Sequence, residues 1–223
     1  MACPNPTIPL SKEKALYTVR ISHVPAPGKG PQLRAALEEH SKAANSAGGS
    51  YGLSQRLYAP EAVFVNTLRY ENLAALEAYN ATALNDPARM ARLAKVGEFV
   101  ARPQTPELNE ILVPGRPTGE VNYVLRITNY AAAGKAGELV QVLEKRASIP
   151  VKGSVGIAIS TQVVSTDGPN FSTNVLFSSL AGIEEFRNAT RADASFREFG
   201  AQMSALTARP PRSELYRVLM RPA

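Results

Sequence analysis

The segment Tyr17-Thr18-Val19-Arg20-Ile21 is repeated in the second half of the chain as Tyr123-Val124-Leu125-Arg126-Ile127. The similarity continues at matched positions further along each copy: Asn66 with Asn174, and Glu107-Leu108 with Glu214-Leu215. The spacing between the copies drifts by only a few residues, which places the insertions in loops and indicates an internal repeat. The sequence therefore predicts two homologous modules, residues 14–114 and 120–220.

Each module has the pattern β-α-β-β-α-β. From Tyr17 to Ile21 the odd-numbered residues are apolar and the even-numbered ones polar, which is the period of a half-buried strand. Beyond Pro27-Gly28, Leu33 and Leu37 recur at helical spacing. Later elements of the first module are strands over 51–58, 63–70 and 107–113, and a helix from residue 73. That helix is interrupted at Asn85-Asp86-Pro87, where Asp86 is expected to cap a new helix that begins with Pro87.

The connector between the modules is short and consists of turn-forming residues, Pro114-Gly115-Arg116-Pro117-Thr118-Gly119-Glu120. Modules joined this closely are expected to pack against each other. A four-stranded antiparallel sheet with helices on one face leaves the other face uncovered, and two such sheets can cover one another. We therefore predict an α+β fold in which two ferredoxin-like β-α-β-β-α-β modules pack sheet to sheet and close into a barrel with the helices outside.

The composition excludes several classes of protein and site. The chain has 223 residues with one cysteine and two histidines, so a disulfide framework and a cysteine-built metal site are excluded. His23 and His40 fall on different predicted elements without an acidic neighbour at ligand spacing, so no metal site is expected. A haem is not expected either, because the second module has no matching histidine, and we predict that the protein uses no cofactor.

The charge and hydropathy patterns indicate which partners and which location to expect. The formal net charge is +6, but the basic residues are not clustered, so no nucleic-acid partner is expected. RNA-recognition domains share the β-α-β-β-α-β topology, but their third strand carries a basic-glycine-aromatic run that is missing from 63–68. The start of the chain lacks the features of a leader peptide, and no apolar run is long enough for a membrane span. We predict a cytoplasmic protein without a membrane partner.

The arrangement resembles the dimeric α+β barrel superfamily with its two halves fused in one chain, and within it the NIPSNAP-like proteins. The residues that carry the resemblance are Tyr17-x-x-Arg20 with Pro27-Gly28-Lys29, Arg69-Tyr70-Glu71-Asn72-Leu73, Asn85-Asp86-Pro87, and Glu107-Leu108 with Ile111-Leu112-Val113-Pro114. The resemblance implies that a ligand lies between the two sheets. It also implies cofactor-independent monooxygenase or isomerase activity among the relatives, and allows a homodimer of such fused chains.

Strand alternation identifies candidate ligand-binding residues. If the apolar face of the first strand packs on helices, Thr18 and Arg20 point into the barrel, together with Arg126 and Thr128 of the second module. A buried guanidinium requires a partner, and the carboxylate or phosphate of a ligand is one candidate because its geometry fits the guanidinium fork. The alternative is a protein carboxylate, Glu110 or another strand residue. A small acidic or phenolic ligand with an apolar body is therefore our first hypothesis.

Proton carriers decide between binding and catalysis. His40 lies on the apolar face of the first helix. It is a candidate ligand-binding residue and proton carrier if it reaches the cleft, and otherwise a structural residue near the helix end. The other available groups are Tyr58, Tyr70 and Tyr216. Three functions remain open: a small-molecule-binding barrel without catalysis, a cofactor-independent monooxygenase or isomerase, and an interaction protein whose barrel is filled by side chains. Whether the protein is an enzyme is left open.

Overall fold

The computed structural model describes residues 16–222. The first half of the chain forms β1 (Leu16–His23), α1 (Gly30–Ser46), β2 (Tyr51–Leu57), β3 (Val63–Tyr70), α2 (Leu73–Ala83), α3 (Pro87–Gly97) and β4 (Thr105–Val113). The second half forms β5 (Tyr123–Tyr130), α4 (Ala136–Ala147), β6 (Gly156–Gln162), β7 (Asn170–Phe177), α5 (Leu180–Ala192), α6 (Ala194–Leu206) and β8 (Arg212–Met220). Both halves thus have the same order of elements. Residues 14 and 15, where the first predicted module begins, and the single cysteine lie outside the described residues.

The eight strands form one closed antiparallel barrel. Their order around the barrel is β1-β3-β2-β8-β5-β7-β6-β4, and β4 pairs again with β1. The two halves of the chain meet along two hydrogen-bonded seams, β2 with β8 and β4 with β6, and the register shifts once in each seam. The expected α+β barrel is confirmed, and its two sheets are joined at their edges.

The pairing of β1 shows which side chains face the barrel lumen. Arg20 is directly opposite Glu107 on β4, and directly paired residues point to the same face of a sheet. The next residue, Ile21, is opposite Asn66 on β3. Asn66 Nδ2 donates a hydrogen bond to the Ser41 hydroxyl of α1 at 2.9 Å, so Ile21 and Asn66 face the helices. Arg20 and Glu107 therefore face the lumen.

The register of β7 differs by one residue from the sequence alignment of the repeat. Arg126 is opposite Asn174 on β7, whereas Arg20 is opposite Thr67 on β3. Asn174 is thus the structural counterpart of Thr67, and the alignment of Asn66 with Asn174 is wrong. Because side chains alternate between the two faces of a strand, the two asparagines point to opposite sides of the barrel wall.

Two apolar cores lie between the outer face of the barrel and the helices, one in each half. The first contains the buried residues Leu33, Ala36, Leu37, Leu53, Phe64 and Val96. The second contains Leu139, Val140, Leu143, Ile159, Phe171, Met203 and Leu206. Burying each large apolar side chain contributes about 1.5–3 kcal/mol relative to leaving it exposed, so these cores hold the helices on the barrel. None of the described helices is long and apolar enough to cross a membrane.

Close backbone packing fixes the start of α5 against the preceding loop. Gly153 has a φ of +86°, and a Cβ at this position would lie 2.2 Å from the backbone oxygen of Gly182 on α5. Only glycine combines this conformation with so close an approach. The loop between α4 and β6 is therefore held against the first turn of α5.

Candidate functional site

The two lumen arginines predicted as ligand-binding residues share one protein carboxylate. Glu107 Oε2 accepts hydrogen bonds from Arg20 Nη1 at 3.1 Å and from Arg126 Nη1 at 3.0 Å. The arginine side chains are only 15% and 8% exposed. Both guanidinium groups face the lumen as expected, but Glu107, not Glu110, neutralises them. A ligand anion in the lumen would therefore compete with Glu107 for both arginines.

The two predicted threonines also lie in the lumen wall. Ser172 Oγ accepts a hydrogen bond from Arg126 Nε at 3.0 Å and lies 3.1 Å from Thr128 Oγ1. Thr18 is buried on β1, opposite Asn109. The structure thus connects Arg20, Arg126 and Thr128 through Glu107 and Ser172 in one hydrogen-bonded network. Thr18 lies on β1, the strand that carries Arg20.

The tyrosines named as proton carriers occupy three different environments. Tyr216 lies in the lumen, where the Arg20 Cζ is 5.4 Å from its ring centroid; burial raises the pKa of Tyr216 above its usual value. Tyr58 is 88% exposed and has a φ of +52°. Tyr70 lines a cavity outside the lumen. These three hydroxyls therefore do not form a common site.

Two cavities lie between the barrel and its helices. A cavity of about 490 Å³, the first cavity, is bordered by β1, β3, β4, α2 and α3 and is partly open to solvent. A cavity of about 570 Å³, the second cavity, lies on the helix side of the barrel in the second half, against β5, β6, β7 and α4 to α6. The resemblance implied a ligand between the sheets, whereas these cavities lie on the opposite face of the barrel wall.

The first cavity combines apolar walls with a few polar groups. Its apolar lining consists of Val19, Ile21, Leu68, Leu76, Pro106, Leu108 and Val164. Val164 comes from the loop after β6, so the second half of the chain completes a wall of this cavity. The polar lining residues are Tyr70, Tyr79, Asn80 and Arg89. A few polar groups at fixed positions in an apolar pocket are typical of small-molecule sites.

Arg89 is the central polar residue of the first cavity. Its Cζ lies 4.3 Å from the ring centroid of Tyr79, and its Nη2 lies 3.5 Å from the Tyr51 hydroxyl. The hydroxyls of Tyr51 and Tyr79 are hydrogen-bonded to each other, and the rings of Tyr70 and Tyr79 are 5.5 Å apart. Arg89 Nε is buried without a hydrogen-bond partner. Within residues 16–222, Arg89 takes part in no salt bridge.

Two helix caps hold these side chains in place. Asp86 Oδ1 accepts hydrogen bonds from the backbone nitrogens of Ala88 at 3.0 Å and Arg89 at 3.1 Å, so α3 begins where the sequence predicted. Asn72 caps α2 by accepting a hydrogen bond from the Ala75 nitrogen at 2.8 Å. Such caps satisfy backbone donors that would otherwise be unpaired. They fix the first turns of the helices that carry Tyr79 and Arg89.

Burial sets the protonation states around the first cavity. Burial raises the pKa of Tyr70 to about 12 and also raises the pKa of Tyr79, while the Arg89 charge opposes both shifts. Burial, followed by the charges of Arg89 and Arg92, lowers the pKa of His40 to about 4. Near neutral pH the tyrosines are therefore hydrogen-bond donors and His40 is uncharged.

His40 lies behind the cavity lining. Its ring contacts the ring of Tyr51 edge-on, with the centroids 5.7 Å apart, and its Nδ1 is buried without a hydrogen-bond partner. His40 thus touches the tyrosine that contacts Arg89, and it does not belong to the lumen network of Arg20 and Arg126. These contacts place His40 outside the cleft between the sheets, which a proton-transfer role there would have required it to reach.

Sequence reasoning missed Tyr51, Tyr79 and Arg89. Arg89 could have been found from the predicted start of α3, because a cap at Asp86 puts residue 89 in the first turn. Nothing in the periodicity showed that α2 and α3 leave a space over β1. A phenolate, enolate or carboxylate in this space would be stabilised by the guanidinium and by the tyrosine hydroxyls.

The chain has few thiol and imidazole groups that could hold a metal ion or a haem iron, with one cysteine and two histidines. Among residues 16–222, no group of three or more His, Cys, Asp or Glu is placed to hold a metal ion. Both histidines of the chain lie in its first half, so the second cavity offers no imidazole to a haem iron.

The comparisons with known proteins show the fold. No family model matches the chain, and no curated protein matches it. A candidate monooxygenase from Fusobacterium nucleatum has a TM-score of 0.69 at 11% identity and covers 94% of both chains. A candidate monooxygenase from Lactobacillus acidophilus has a TM-score of 0.68 at 12% identity and covers 92% of this chain and 94% of that one. An anthrone oxidase-like protein has a TM-score of 0.64 at 15% identity, covering 95% and 94%. Nearly the whole chain therefore shares the α+β barrel fold of these proteins.

Proposed function

We propose that the protein binds a small molecule with a phenolic or other acidic group and an apolar body in the first cavity. The observation that carries this proposal is Arg89, whose buried Nε has no partner although its guanidinium lies in a mostly apolar and aromatic lining. The ligand class is the one inferred from the sequence. The proposed site, however, lies on the helix side of the barrel wall and not in the lumen.

Charge supports an anionic group at Arg89. A guanidinium stays protonated near neutral pH and forms its strongest hydrogen bonds with oxyanions. Arg20 and Arg126 already have Glu107 as a partner, whereas within the described residues Arg89 makes cation-π and hydroxyl contacts alone. A phenolate or carboxylate would complete its hydrogen bonding.

The dimensions and walls of the cavity support an apolar ligand body. A volume of about 490 Å³ falls within the range of small-molecule sites, which runs from about 300 to 1,000 Å³. The exposed side chain of Val164 stands at one wall, and an apolar ligand would cover it. Removing this surface from water contributes to affinity at about 25 cal/mol per Å².

A coloured phenol tests the binding proposal. 4-Nitrophenol absorbs differently as phenol and phenolate, so absorbance reports the pKa of the bound probe. We expect binding to lower the pKa of the probe, because the Arg89 charge favours the phenolate. Arg89→Met should abolish the pKa shift and weaken phenolate binding by about tenfold or more, since a hydrogen bond to a charged group contributes about 1.5–3 kcal/mol.

A matched control separates the two halves of the chain. Arg146 is the arginine of the second cavity, and Arg146→Met should leave the pKa shift of bound 4-nitrophenol unchanged. An Arg89→Met variant that keeps its circular dichroism spectrum and still shifts the probe would contradict the proposal. So would loss of the shift in Arg146→Met alone.

A cofactor-independent monooxygenase is the second candidate, favoured by the tyrosine hydroxyls beside Arg89. A substrate carbon next to a carbonyl, or conjugated with it through an aromatic ring as in anthrone, would lose a proton to give an enolate, stabilised by Arg89 and by donors such as Tyr79. Dioxygen would be the oxidant: one oxygen atom enters the substrate and the other leaves as water, as in the conversion of anthrone and O₂ to anthraquinone and water. Tyr70, Tyr79 and His40 are the groups available to carry protons.

Oxygen consumption with anthrone tests this activity. The protein should accelerate oxygen uptake above the rate in buffer, and Tyr79→Phe should slow it by about 10²- to 10⁴-fold, the range for loss of a proton-transfer group. Proton-deuterium exchange into anthrone without oxygen uptake would favour the isomerase alternative. Absence of both reactions together with binding of 4-nitrophenol would leave a binding protein.

The third function from the sequence was an interaction protein with a filled barrel. The lumen network of Arg20, Arg126, Glu107 and Ser172 fits a filled interior. The cavities outside the lumen nevertheless give a small molecule a place to bind, and binding of 4-nitrophenol at Arg89 would exclude a purely structural barrel.

We retain the finer sequence-based assignments as part of the proposal. Two ferredoxin-like modules, 14–114 and 120–220, are supported by the identical order of elements in the two halves. Membership of the NIPSNAP-like proteins rests on the residue matches given above. A homodimer of fused chains, a cytoplasmic location, and the absence of a cofactor and of a nucleic-acid partner stay predictions.

A further inference from the structure

We infer that the second cavity is a separate binding site for an aromatic carboxylate, a ligand with one carboxylate group on an apolar ring system, and that it binds this ligand without changing it chemically. The two halves of the fold would then carry two sites of different chemistry. The inference rests on the lining of the second cavity and is independent of the activity proposed for the first.

Arg146 supplies the positive charge of the second cavity. Its Nη1 donates to the Ile149 carbonyl oxygen at 3.3 Å, and its Cζ lies 3.9 Å from the ring centroid of Phe196. Within the described part of the chain it takes part in no salt bridge. The nearby Asp193 carboxylate caps α6 by accepting a hydrogen bond from the Ser195 nitrogen at 2.8 Å. The edge of the Arg146 guanidinium is therefore available for a carboxylate, whose two oxygens match its fork.

The second arginine of the lining is already neutralised. Arg209 Nη2 lies 2.7 Å from the Asp167 Oδ2, and its Cζ is 3.5 Å from the ring centroid of Tyr130. The pair Arg209–Asp167 is thus balanced in charge. Among the described residues that line the cavity, Arg146 is the cation without a carboxylate within salt-bridge distance, and its charge favours a ligand with a single negative charge.

The barrel wall supplies an unused hydrogen-bonding group. Thr173 Oγ1 on β7 is buried without a partner, although Thr173 lines the cavity. A buried hydroxyl without a partner costs free energy, so a ligand oxygen that accepts from it would be favoured. Asn129, buried on β5, adds a second polar side chain to this wall.

The remaining walls fit an apolar ring system. Phe186, Phe196, Phe199 and Met203 line the helix side, and Ile127 and Val175 line the barrel side. A volume of about 570 Å³ is sufficient for a body of two or three rings, within the usual range of small-molecule sites. Aromatic walls of this kind favour a flat apolar ligand.

The lining also explains why binding is not followed by chemistry. The second cavity is lined by no Tyr, His, Asp, Glu, Lys or Cys residue among those described. The matching position of His40 is occupied by Arg146, and the first cavity alone carries the tyrosines. Without a group that accepts or donates a proton near neutral pH, the second cavity is suited to binding only.

Calorimetry with a matched pair of probes tests the charge. The probes are 2-naphthoate and its neutral analogue 2-naphthamide, titrated into the full chain. We expect 2-naphthoate to bind more tightly, and Arg146→Met to weaken it by about tenfold or more, because a charge-assisted pair is lost. Binding of 2-naphthamide should change less than about threefold. The loss of 2-naphthoate binding in Arg146→Met should persist in an Arg89→Met background, in which the first cavity has lost its charge.

A blocking variant tests the location. Gly200 lies on the face of α6 that lines the cavity, one turn from Phe196 and from Met203, and a Cβ there would meet no atom within 4 Å. Gly200→Leu should therefore fold and fill the cavity, and in the Arg89→Met background it should remove the binding of both probes. Gly200→Ala is the control, because its single methyl group leaves the cavity open.

Three results would overturn the inference. One is the absence of measurable 2-naphthoate binding by the unaltered protein. Another is an Arg146→Met variant that binds 2-naphthoate as well as the unaltered protein does. The last is binding that survives Gly200→Leu but disappears in Arg89→Met, which would place the probe in the first cavity. Failure of the first-cavity proposal is recognised separately, because Arg89→Met would then leave the pKa shift of bound 4-nitrophenol unchanged.

Discussion

Replacing Glu107 with glutamine removes the carboxylate that Arg20 and Arg126 share in the lumen. The two contacts are 3.1 and 3.0 Å long, and the arginine side chains are 15% and 8% exposed. Breaking a buried ion pair costs about 3–5 kcal/mol, because an uncompensated charge remains. Glu107 is 31% exposed, and glutamine keeps an acceptor oxygen, so we expect a loss near the lower limit, about 3 kcal/mol of unfolding free energy.

Urea denaturation followed by far-ultraviolet circular dichroism measures this loss. The control is Glu61→Gln, which breaks the contact with Arg102 at 2.5 Å, where the side chains are 60% and 44% exposed. Exposed pairs contribute at most about 1 kcal/mol, so the control should stay close to the unaltered protein. A Glu107→Gln variant within about 1 kcal/mol of the unaltered protein would refute the structural role of Glu107 and return the lumen arginines to the candidate ligand-binding residues.

Three further results are expected. The unfolding free energy should fall as the pH drops from about 6.5 to about 4, because His23 and His40 have folded-state pKa values of about 4 and the unfolded chain takes up protons first. The expected loss is up to about 1.4 kcal/mol per pH unit for each histidine, and an unfolding free energy that stays constant in urea titrations from pH 7 to 4.5 would contradict this. Gly153→Ala should destabilise the protein, since its methyl group meets a backbone oxygen of α5, while Gly200→Ala should stabilise α6 by up to about 1 kcal/mol; equal melting temperatures for the two variants would exclude the close contact. Asp86→Ala should cost about 1 kcal/mol through the lost α3 cap and weaken 4-nitrophenol binding; unchanged binding would show that the cap does not position the site.

Much of the fold could be predicted because strands and helices leave periodic signals in the sequence. Alternation from Tyr17 to Ile21 located β1 and placed Arg20 in the lumen. The Asn85-Asp86-Pro87 segment located the break between α2 and α3. These signals are local, since they depend on strand period and on capping within one turn.

Strand register was harder to predict because it depends on pairing between distant segments. Aligning identical asparagines, Asn66 and Asn174, gave a register that is wrong by one residue. A shift of one residue exchanges the two faces of a strand. Asparagine occurs on both faces here, since Asn66 faces the helices and Asn174 faces the lumen, so residue identity does not reveal the shift. Glu107 was recognised as part of the repeat, but its contact with Arg126 depends on barrel closure.

The candidate site was missed for a different physical reason. Apolar periodicity shows which face of a strand packs on helices, but it does not show how completely the helices fill that face. Val19 and Ile21 lie on the expected face of β1, and a cavity of about 490 Å³ separates them from Tyr79 and Arg89. Such gaps depend on the tilt and separation of the helices, which no local pattern encodes.

The position of a bound phenol tests the central claim most directly. Crystals of the protein grown with 4-nitrophenol should show the ligand between α2, α3 and the barrel, with its oxygen about 3 Å from the Arg89 guanidinium and its ring against Val19 and Leu108. Ligand density in the lumen beside Arg20 and Arg126, or in the second cavity alone, would contradict the claim.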